Sequence, residues 1–210
     1  MLYRKIIAAL LLVCASQLGM AANSFDEMLD AVKTDKADVV NALLKRGFDP
    51  NTSDREGNTL LMMAAKQGST GVVKQLLAAQ AKVQTANEFG ETALMLAAIG
   101  GHVDIARSLL ERGAILNRQG WTPLMYAAVM GHVNVARLLI SYGAQVNGTA
   151  ENGLTSLMMA AREGHAQMVS FLLANGADPN LKSEAGTTAA TIAREKNHSN
   201  IVELLAKGAK

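Results

Sequence analysis

The sequence predicts an all-α solenoid of about six stacked helix-turn-helix repeats with extended loop tips. Three features of the chain indicate it: a Gly-x-Thr tripeptide recurs at a nearly constant period, a Leu- or Met-rich stretch with an Ala pair follows the Thr, and a second apolar run comes next. A fixed period of about 20 to 50 residues indicates a repeat architecture, in which each unit buries its apolar face against its neighbours. We place the repeats at about 24–53, 54–86, 87–117, 118–149, 150–182 and 183–210.

The first helix of a repeat is expected to begin at the Thr of the tripeptide. A Thr side chain is a good N-cap, because its oxygen accepts a hydrogen bond from an otherwise unpaired backbone N–H. Pro123 stands directly after Thr122, where the first helical turn tolerates proline. The tripeptide glycines, at spacings of 33, 30, 33 and 33, are Gly57, Gly90, Gly120, Gly153 and Gly186.

The second helix is predicted from the helical spacing of its apolar residues, as in Val72, Val73, Leu76 and Leu77. Glycine follows most of these runs and is the residue that most readily ends a helix in the left-handed conformation. These glycines are Gly47, Gly113, Gly143 and Gly176, with Gln80 as the exception. The repeated unit is therefore a helix, a turn, a second helix and an extended loop.

Three stretches of the chain carry a family resemblance: residues 120–128, Gly131-His132, and residues 172–180. They resemble the ankyrin repeat, whose pattern runs G-x-T-P-L-H-x-A-A, then G-H, then L-L-x-x-G-A-D-x-N. The resemblance covers about residues 24–210 and implies an ankyrin-repeat solenoid whose terminal repeats cap its ends. One departure is systematic, because methionine stands where the family has His after Leu. These residues, which we interpret as core, are Met62, Met95, Met125 and Met158.

Residues 1–21 have the pattern of a secretory signal peptide, with residues 22–210 as the mature domain. A basic start at Arg4 and Lys5 precedes an apolar run over residues 6–15, and small residues precede an expected cleavage after Ala21 or Ala22. The apolar run is well short of the about 20 residues that span a bilayer. We therefore expect a periplasmic or secreted protein that does not insert into the membrane after cleavage.

Cys14 is the only cysteine of the chain. A lipoprotein signal with lipid on Cys14 is the alternative to a cleaved signal, although Val13 is bulky where such signals usually have Gly or Ala. If Cys14 leaves with the signal, the mature chain has no thiol for a disulfide, a metal or catalysis. Loss of Arg4 and Lys5 leaves 18 basic against 18 acidic residues, so charge does not favour nucleic-acid binding.

Four histidines are candidate metal ligands or catalytic bases: His102, His132, His165 and His198. They stand at the same point of successive repeats. Stacked helices lie about 8–10 Å apart, whereas zinc needs several donors within about 2 Å of one ion. We therefore interpret these histidines as helix-start residues that bond to local backbone. No nucleophile elbow, phosphate loop or His-Glu-x-x-His motif occurs, so we predict no catalytic residue, cofactor or metal.

The resemblance implies that a partner binds the concave face, which we define as the loop tips before each Thr together with the exposed side of each first helix. At these positions the middle repeats carry apolar side chains, and interface hot spots favour Trp, Tyr and Arg. The alternative is that Trp121 and Phe89 simply cover neighbouring repeats. The candidate partner-binding residues are Phe89, Ile99, Arg118, Trp121, Tyr126, Val129, Met130 and Leu154.

The loop tip of the fourth repeat is shorter than the others. Gly113 and Gly143 are 30 residues apart, so the three missing residues fall between Gly113 and Gly120. We expect this short tip to leave a notch beside Trp121 that receives a projection of the partner.

These observations predict a non-catalytic protein–protein interaction module of the periplasm or cell exterior, monomeric, that binds another protein through its concave face. One alternative is an inhibitor or immunity protein for an envelope or secreted enzyme. Resemblance to bacterial ankyrin proteins suggests a further one, an accessory factor for an oxidative-stress enzyme such as catalase. A hydrolase hidden in the notch is disfavoured, because no reactive constellation is visible in the sequence.

Overall fold

The computed structural model describes residues 24–208, and within that range the chain forms twelve helices and no strand beyond isolated bridges. The predicted all-α class is confirmed. The predicted signal peptide and Cys14 lie outside the described residues. The helices are α1 (24–33), α2 (Ala37–Lys45), α3 (Leu60–Gln67), α4 (Thr70–Ala78), α5 (Ala93–Gly100), α6 (Val103–Glu111), α7 (Pro123–Met130), α8 (Val133–Ser141), α9 (Ser156–Glu163), α10 (Ala166–Ala174), α11 (Ala189–Glu195) and α12 (Ser199–Gly208).

The helices form two layers. From α3 to α11 each odd-numbered helix packs on the next odd-numbered one, and the even-numbered helices from α2 to α12 do the same. The core lies between the layers, where Leu61, Leu76, Leu94, Leu109 and Leu124 are completely buried. Because each repeat buries its apolar side chains against its neighbours, the loops between helices stay at the surface as a row of tips.

Thr N-caps begin the first helices as predicted. The side chains of Thr59, Thr92, Thr122, Thr155 and Thr188 each accept the backbone N–H three residues on. In the first of these caps the thioether sulfur of Met62 accepts the Thr59 N–H at 3.4 Å, so the sulfur supplies a polar link in the turn. The four repeat-core methionines are each at most 2% exposed, which confirms their packing role.

Side-chain amides tie the loop of one repeat to the next. The Asn117 amide donates to the Gly143 carbonyl at 2.9 Å, and its oxygen accepts the Gln145 N–H at 2.9 Å. Asn147 makes the same pair of bonds one repeat later. Gln84 makes it one repeat earlier, with a side chain longer by one methylene. These bonds fix the spacing of successive loops, and therefore the position of the tips.

Gln80 follows the C-terminal end of α4 and adopts the left-handed conformation that glycine adopts at the equivalent points of other repeats. Its φ is +62°, and its side chain is exposed. Gly113 occupies the same position one repeat later with φ +81°, and a Cβ added there would meet no atom within 4 Å. The two positions therefore differ mainly in the steric cost of a Cβ in this backbone conformation.

Replacing Gln80 by Gly is expected to raise the free energy of unfolding by roughly 0.5–1 kcal/mol, because the relief of left-handed strain exceeds the added freedom of the unfolded chain. Urea unfolding measures the change. The reverse substitution, Gly113→Gln, is the matched control and should lower the free energy of unfolding by a similar amount. Equal stability of the two variants and the wild type would contradict the prediction.

Candidate partner-binding site

A cleft of about 450 Å³ lies beside Trp121, where the short tip was expected to leave a notch. The tip of the third repeat forms one wall and the tip of the fifth repeat the other, with the short tip between them. Side chains of α5 and α7 complete it. The lining residues are Phe89, Gly90, Met95, Tyr126, residues 118–121 and residues 150–152.

The short tip lacks the hydrogen bonds that close the full-length tips. In the fifth repeat the Ala150 N–H donates to the Leu154 carbonyl, and Thr149 bridges to Thr155. Within residues 24–208, no backbone N–H of residues 116–121 makes such a bond. The short tip is held instead by the Arg118 guanidinium, whose Nη1 donates to the Gly90 carbonyl at 2.9 Å. The missing three residues thus remove the turn and open the cleft.

The other tips are bonded in neighbouring pairs on either side of the cleft. The Glu88 N–H of the third tip donates to the Glu56 carbonyl of the second at 3.0 Å. The Glu184 N–H of the sixth tip donates to the Asn152 carbonyl of the fifth at 3.1 Å. In the described chain, no hydrogen bond joins the backbone of the fourth tip to the backbone of either pair. The cleft therefore separates two rigid pairs of tips.

Aromatic rings line the cleft on two of its sides. Trp121 of the short tip and Tyr126 of α7 form a tilted pair, with ring centroids 5.1 Å apart and an interplanar angle of 38°. Phe89 projects from the third-tip wall with 71% of its surface exposed, and Trp121 is 38% exposed. A paired ring contributes beyond its buried area and holds a fixed orientation. The cleft therefore presents preformed aromatic surface to solvent.

The Tyr126 hydroxyl lies in a site that keeps it protonated. Burial raises the pKa of Tyr126, the negative charge and hydrogen bonding of Glu91 raise it further, and the Arg118 charge acts in the opposite direction. The Glu91 carboxylate also accepts a hydrogen bond from the Asn87 amide at 3.0 Å. Glu91 and Arg118 thus hold the third and fourth tips around the phenol.

The structure brings together four of the eight predicted site residues, namely Phe89, Arg118, Trp121 and Tyr126, which line the cleft. Ile99, Val129 and Met130 lie instead in the last turns of α5 and α7, the first two half-buried and Met130 exposed. Leu154 is half-buried and packs against the core. Binding of a partner by any of the eight stays a prediction.

The eight candidate residues leave out part of the cleft. Glu151 and Asn152 form a wall of it; both were expected in the fifth loop tip, but no local pattern distinguishes them from the other polar tip residues. A second cleft of about 230 Å³ lies on the other side of Phe89 and includes Leu29 and Met63. Leu29 belongs to the first repeat. Because that repeat lacks the tripeptide, the sequence did not show which of its residues face this cleft.

The histidines were predicted to bond to local backbone, and this prediction is wrong because the carbonyl that each ring contacts belongs to the preceding repeat. Each ring Nε2 donates to a carbonyl of the preceding repeat, as His102 does to Lys66 at 3.2 Å and His132 does to Ile99 at 2.9 Å. Each ring also covers a left-handed glycine, and a Cβ at Gly68 would lie 2.6 Å from the His102 ring. The remaining two bonds join His165 to Val129 and His198 to Arg162. The histidines link neighbouring repeats, because the second helix begins against the end of the previous first helix.

The first joint between repeats uses different residues for the same purpose. Ser69 stands at the histidine position and donates its hydroxyl to the Val32 carbonyl at 2.6 Å. Asp35 replaces the left-handed glycine, with φ +52°, and its carboxylate accepts the N–H groups of Gly71 and Val72. A negative charge at these first N–H groups of α4 stabilises the helix.

The family model described as ankyrin repeats in three copies matches residues 28–114, 61–150 and 146–210. The chain belongs to the ankyrin-repeat family. Ankyrin repeats are protein–protein interaction modules. A comparison with curated proteins finds no match.

Two features are absent from residues 24–208 of the ankyrin-repeat protein. None of the helices described there is long and apolar enough to cross a membrane. No three His, Cys, Asp or Glu side chains in the same range are grouped so that they could hold a metal ion.

Replacing Glu91 by Gln is expected to lower the pKa of Tyr126 toward its ordinary value of 10.0, because a negative charge beside the phenol is removed. The phenolate absorbance of the folded protein against pH gives the pKa, and a Tyr126→Phe variant identifies this tyrosine's part of the curve. Because the folded pKa of Tyr126 lies above its unfolded value, the tyrosine's stability contribution is present below pH 10.0 and is lost as the pH rises through the folded pKa. An unchanged Tyr126 titration in Glu91→Gln would contradict the assignment.

Proposed function

We propose that this ankyrin-repeat protein is a non-catalytic binding module of the periplasm or cell exterior that holds a partner protein through its concave face. The observation that carries the proposal is the cleft between the third and fifth tips, with Phe89 and Trp121 exposed in it. Large aromatic side chains at the centre of a binding surface are the usual hot spots of protein interfaces. Their exposure in the free protein leaves apolar surface that a partner would bury.

Binding would rest on burial of the two rings, with the polar tip residues setting the orientation of the partner. The Trp121–Tyr126 pair is already in contact, and Arg118 is already bonded to Gly90, so little side-chain freedom is lost on binding. Arg118 and Glu91, whose charges act on Tyr126, both form hydrogen bonds with the third tip. This arrangement supports recognition rather than acid–base chemistry.

The proposed compartment rests on the N-terminal sequence, with Arg4 and Lys5 before an apolar run and small residues at 19–22. Cells that express the full chain are expected to yield periplasmic protein that begins at Ala22 or Asn23. Intact-mass spectrometry of that protein identifies its first residue. A mass that includes residues 1–21, or a lipid on Cys14, would contradict the cleaved signal. A variant with Arg4 and Lys5 replaced by Asp, which loses the basic start, is the control for export.

Pull-down from an envelope fraction tests the binding site. The wild type is expected to retain a partner that a Phe89→Ala, Trp121→Ala double variant loses, and Trp121→Ala alone should weaken the affinity by about 30-fold, as for a hot-spot residue. The matched control is Ile115→Ala with Tyr142→Ala, which removes side chains 52% and 40% exposed that do not line the cleft. Circular dichroism confirms that each variant is folded.

The proposed site would be refuted if the double variant retained the same partner as the wild type. Loss of the partner from both double variants would equally count against it, because the effect would not depend on the cleft. An enzyme that is retained and whose activity falls on binding would make the module an inhibitor.

A further inference from the structure

A third cleft lies on the other side of the short tip. It has a volume of about 490 Å³ and a lining of polar residues from the end of the third repeat and from the fourth repeat. Arg118 and Gln119 line both this cleft and the cleft beside Trp121. The two clefts therefore meet over the short tip and form a trough, by which we mean both clefts and residues 118–121 between them.

The backbone at the bottom of the trough has free hydrogen-bonding groups. Within the described residues, no N–H of residues 116–121 donates a hydrogen bond and no carbonyl of residues 115–121 accepts one. The equivalent backbone of the fifth tip is paired internally and with the sixth tip. A run of exposed, unpaired backbone groups is a template on which another extended chain can form main-chain hydrogen bonds.

Two exposed carboxylates flank the trough and lack ionic partners, and Arg118 is the cation among the residues that line it. Glu88 on the third tip and Glu151 on the fifth are both exposed, and neither forms an ion pair in the part of the chain that the structure describes. The Glu151 carboxylate reaches toward the short tip, 3.9 Å from where a Cβ on Gly120 would lie. Arg118 is directed to the Gly90 carbonyl. Basic side chains would complement this border.

We propose that the partner binds through an extended, basic segment that lies across the short tip. This inference rests on the proposed function and specifies the part of the partner that enters the site. The backbone of the segment pairs with residues 116–121, in the manner of a strand added to a sheet edge. A Lys or Arg of the segment lies between Glu151 and the ring of Trp121, where ionic and cation–π attraction act together.

The test uses a variant in which the missing residues are restored. Inserting Gly-Thr-Ala after Asn117 copies residues 148–150, which lead into the fifth tip. In the fifth tip, Thr149 bridges to Thr155 and the Ala150 N–H donates to the Leu154 carbonyl. The inserted Thr is placed to form the equivalent bridge to Thr122, and the inserted Ala N–H to donate to the Trp121 carbonyl. This tip-restored variant keeps Phe89, Trp121 and Tyr126 while its backbone pairs internally. Its stability in urea should equal or exceed that of the wild type.

The probe is a display library of short random linear peptides selected on the wild-type protein. Fluorescence of Trp121, the only tryptophan of the chain, reports binding in the cleft. We expect the selected peptides to be rich in Lys and Arg and to bind the tip-restored variant at least tenfold more weakly. Glu88→Gln with Glu151→Gln should weaken binding several-fold, whereas Glu203→Gln on α12 should not. N-methylation of alternate peptide amides should abolish binding.

Failure to select any peptide, or equal affinity of the selected peptides for the wild type and the tip-restored variant, would overturn the inference. The pull-down partner separates this failure from failure of the proposed function. If the tip-restored variant retains the partner and the Phe89→Ala, Trp121→Ala variant loses it, the partner binds by a folded surface, and the proposed function stands without the extended segment.

Discussion

The structure depends on contact between neighbouring repeats, because a pair of helices of eight or nine residues cannot bury its own apolar face. The fully buried leucines of this chain lie between the two helix layers, and successive repeats supply the atoms that cover them. Apolar contact alone would allow the repeats to slide. Directional bonds fix the register: a histidine ring joins the helix ends of adjacent repeats, and an amide clamps their loops. Within the described chain, no buried side-chain N or O atom lacks a hydrogen-bond partner.

Departures from the repeated pattern have different consequences at the first joint and at the fourth tip. At the first joint, Ser69 and Asp35 replace the histidine and the glycine, and their bonds restore the link between repeats. At the fourth tip nothing replaces the missing turn except the Arg118 side chain. The helices beneath that tip still stack as elsewhere, so the deletion changes the surface without changing the scaffold. Such a position can vary for binding at little cost to the fold.

The arrangement of the cleft explains how a solenoid obtains a localised site. A row of equivalent tips would give an even surface, because each tip bonds to the next. Here one backbone bond, Glu88 to Glu56, joins the second and third tips, and another, Glu184 to Asn152, joins the fifth and sixth. The short fourth tip is bonded to neither pair in this way. The aromatic residues then line a gap whose width is set by the stacking distance of the repeats. Rigid walls of this kind reduce the entropy lost when a partner is bound.

The sequence by itself determined the fold class, the repeat register, the Thr caps and the position of the short tip, because these follow from local patterns of period and helix signals. It grouped Phe89, Arg118, Trp121 and Tyr126, which line the cleft, with Ile99, Val129, Met130 and Leu154, which do not line it. It also misassigned the histidine bonds, whose partners lie about one repeat away in the chain. Only the tertiary structure decided these points, since stacking brings together residues of different repeats, and their distance and direction across the stack are not encoded in any local pattern.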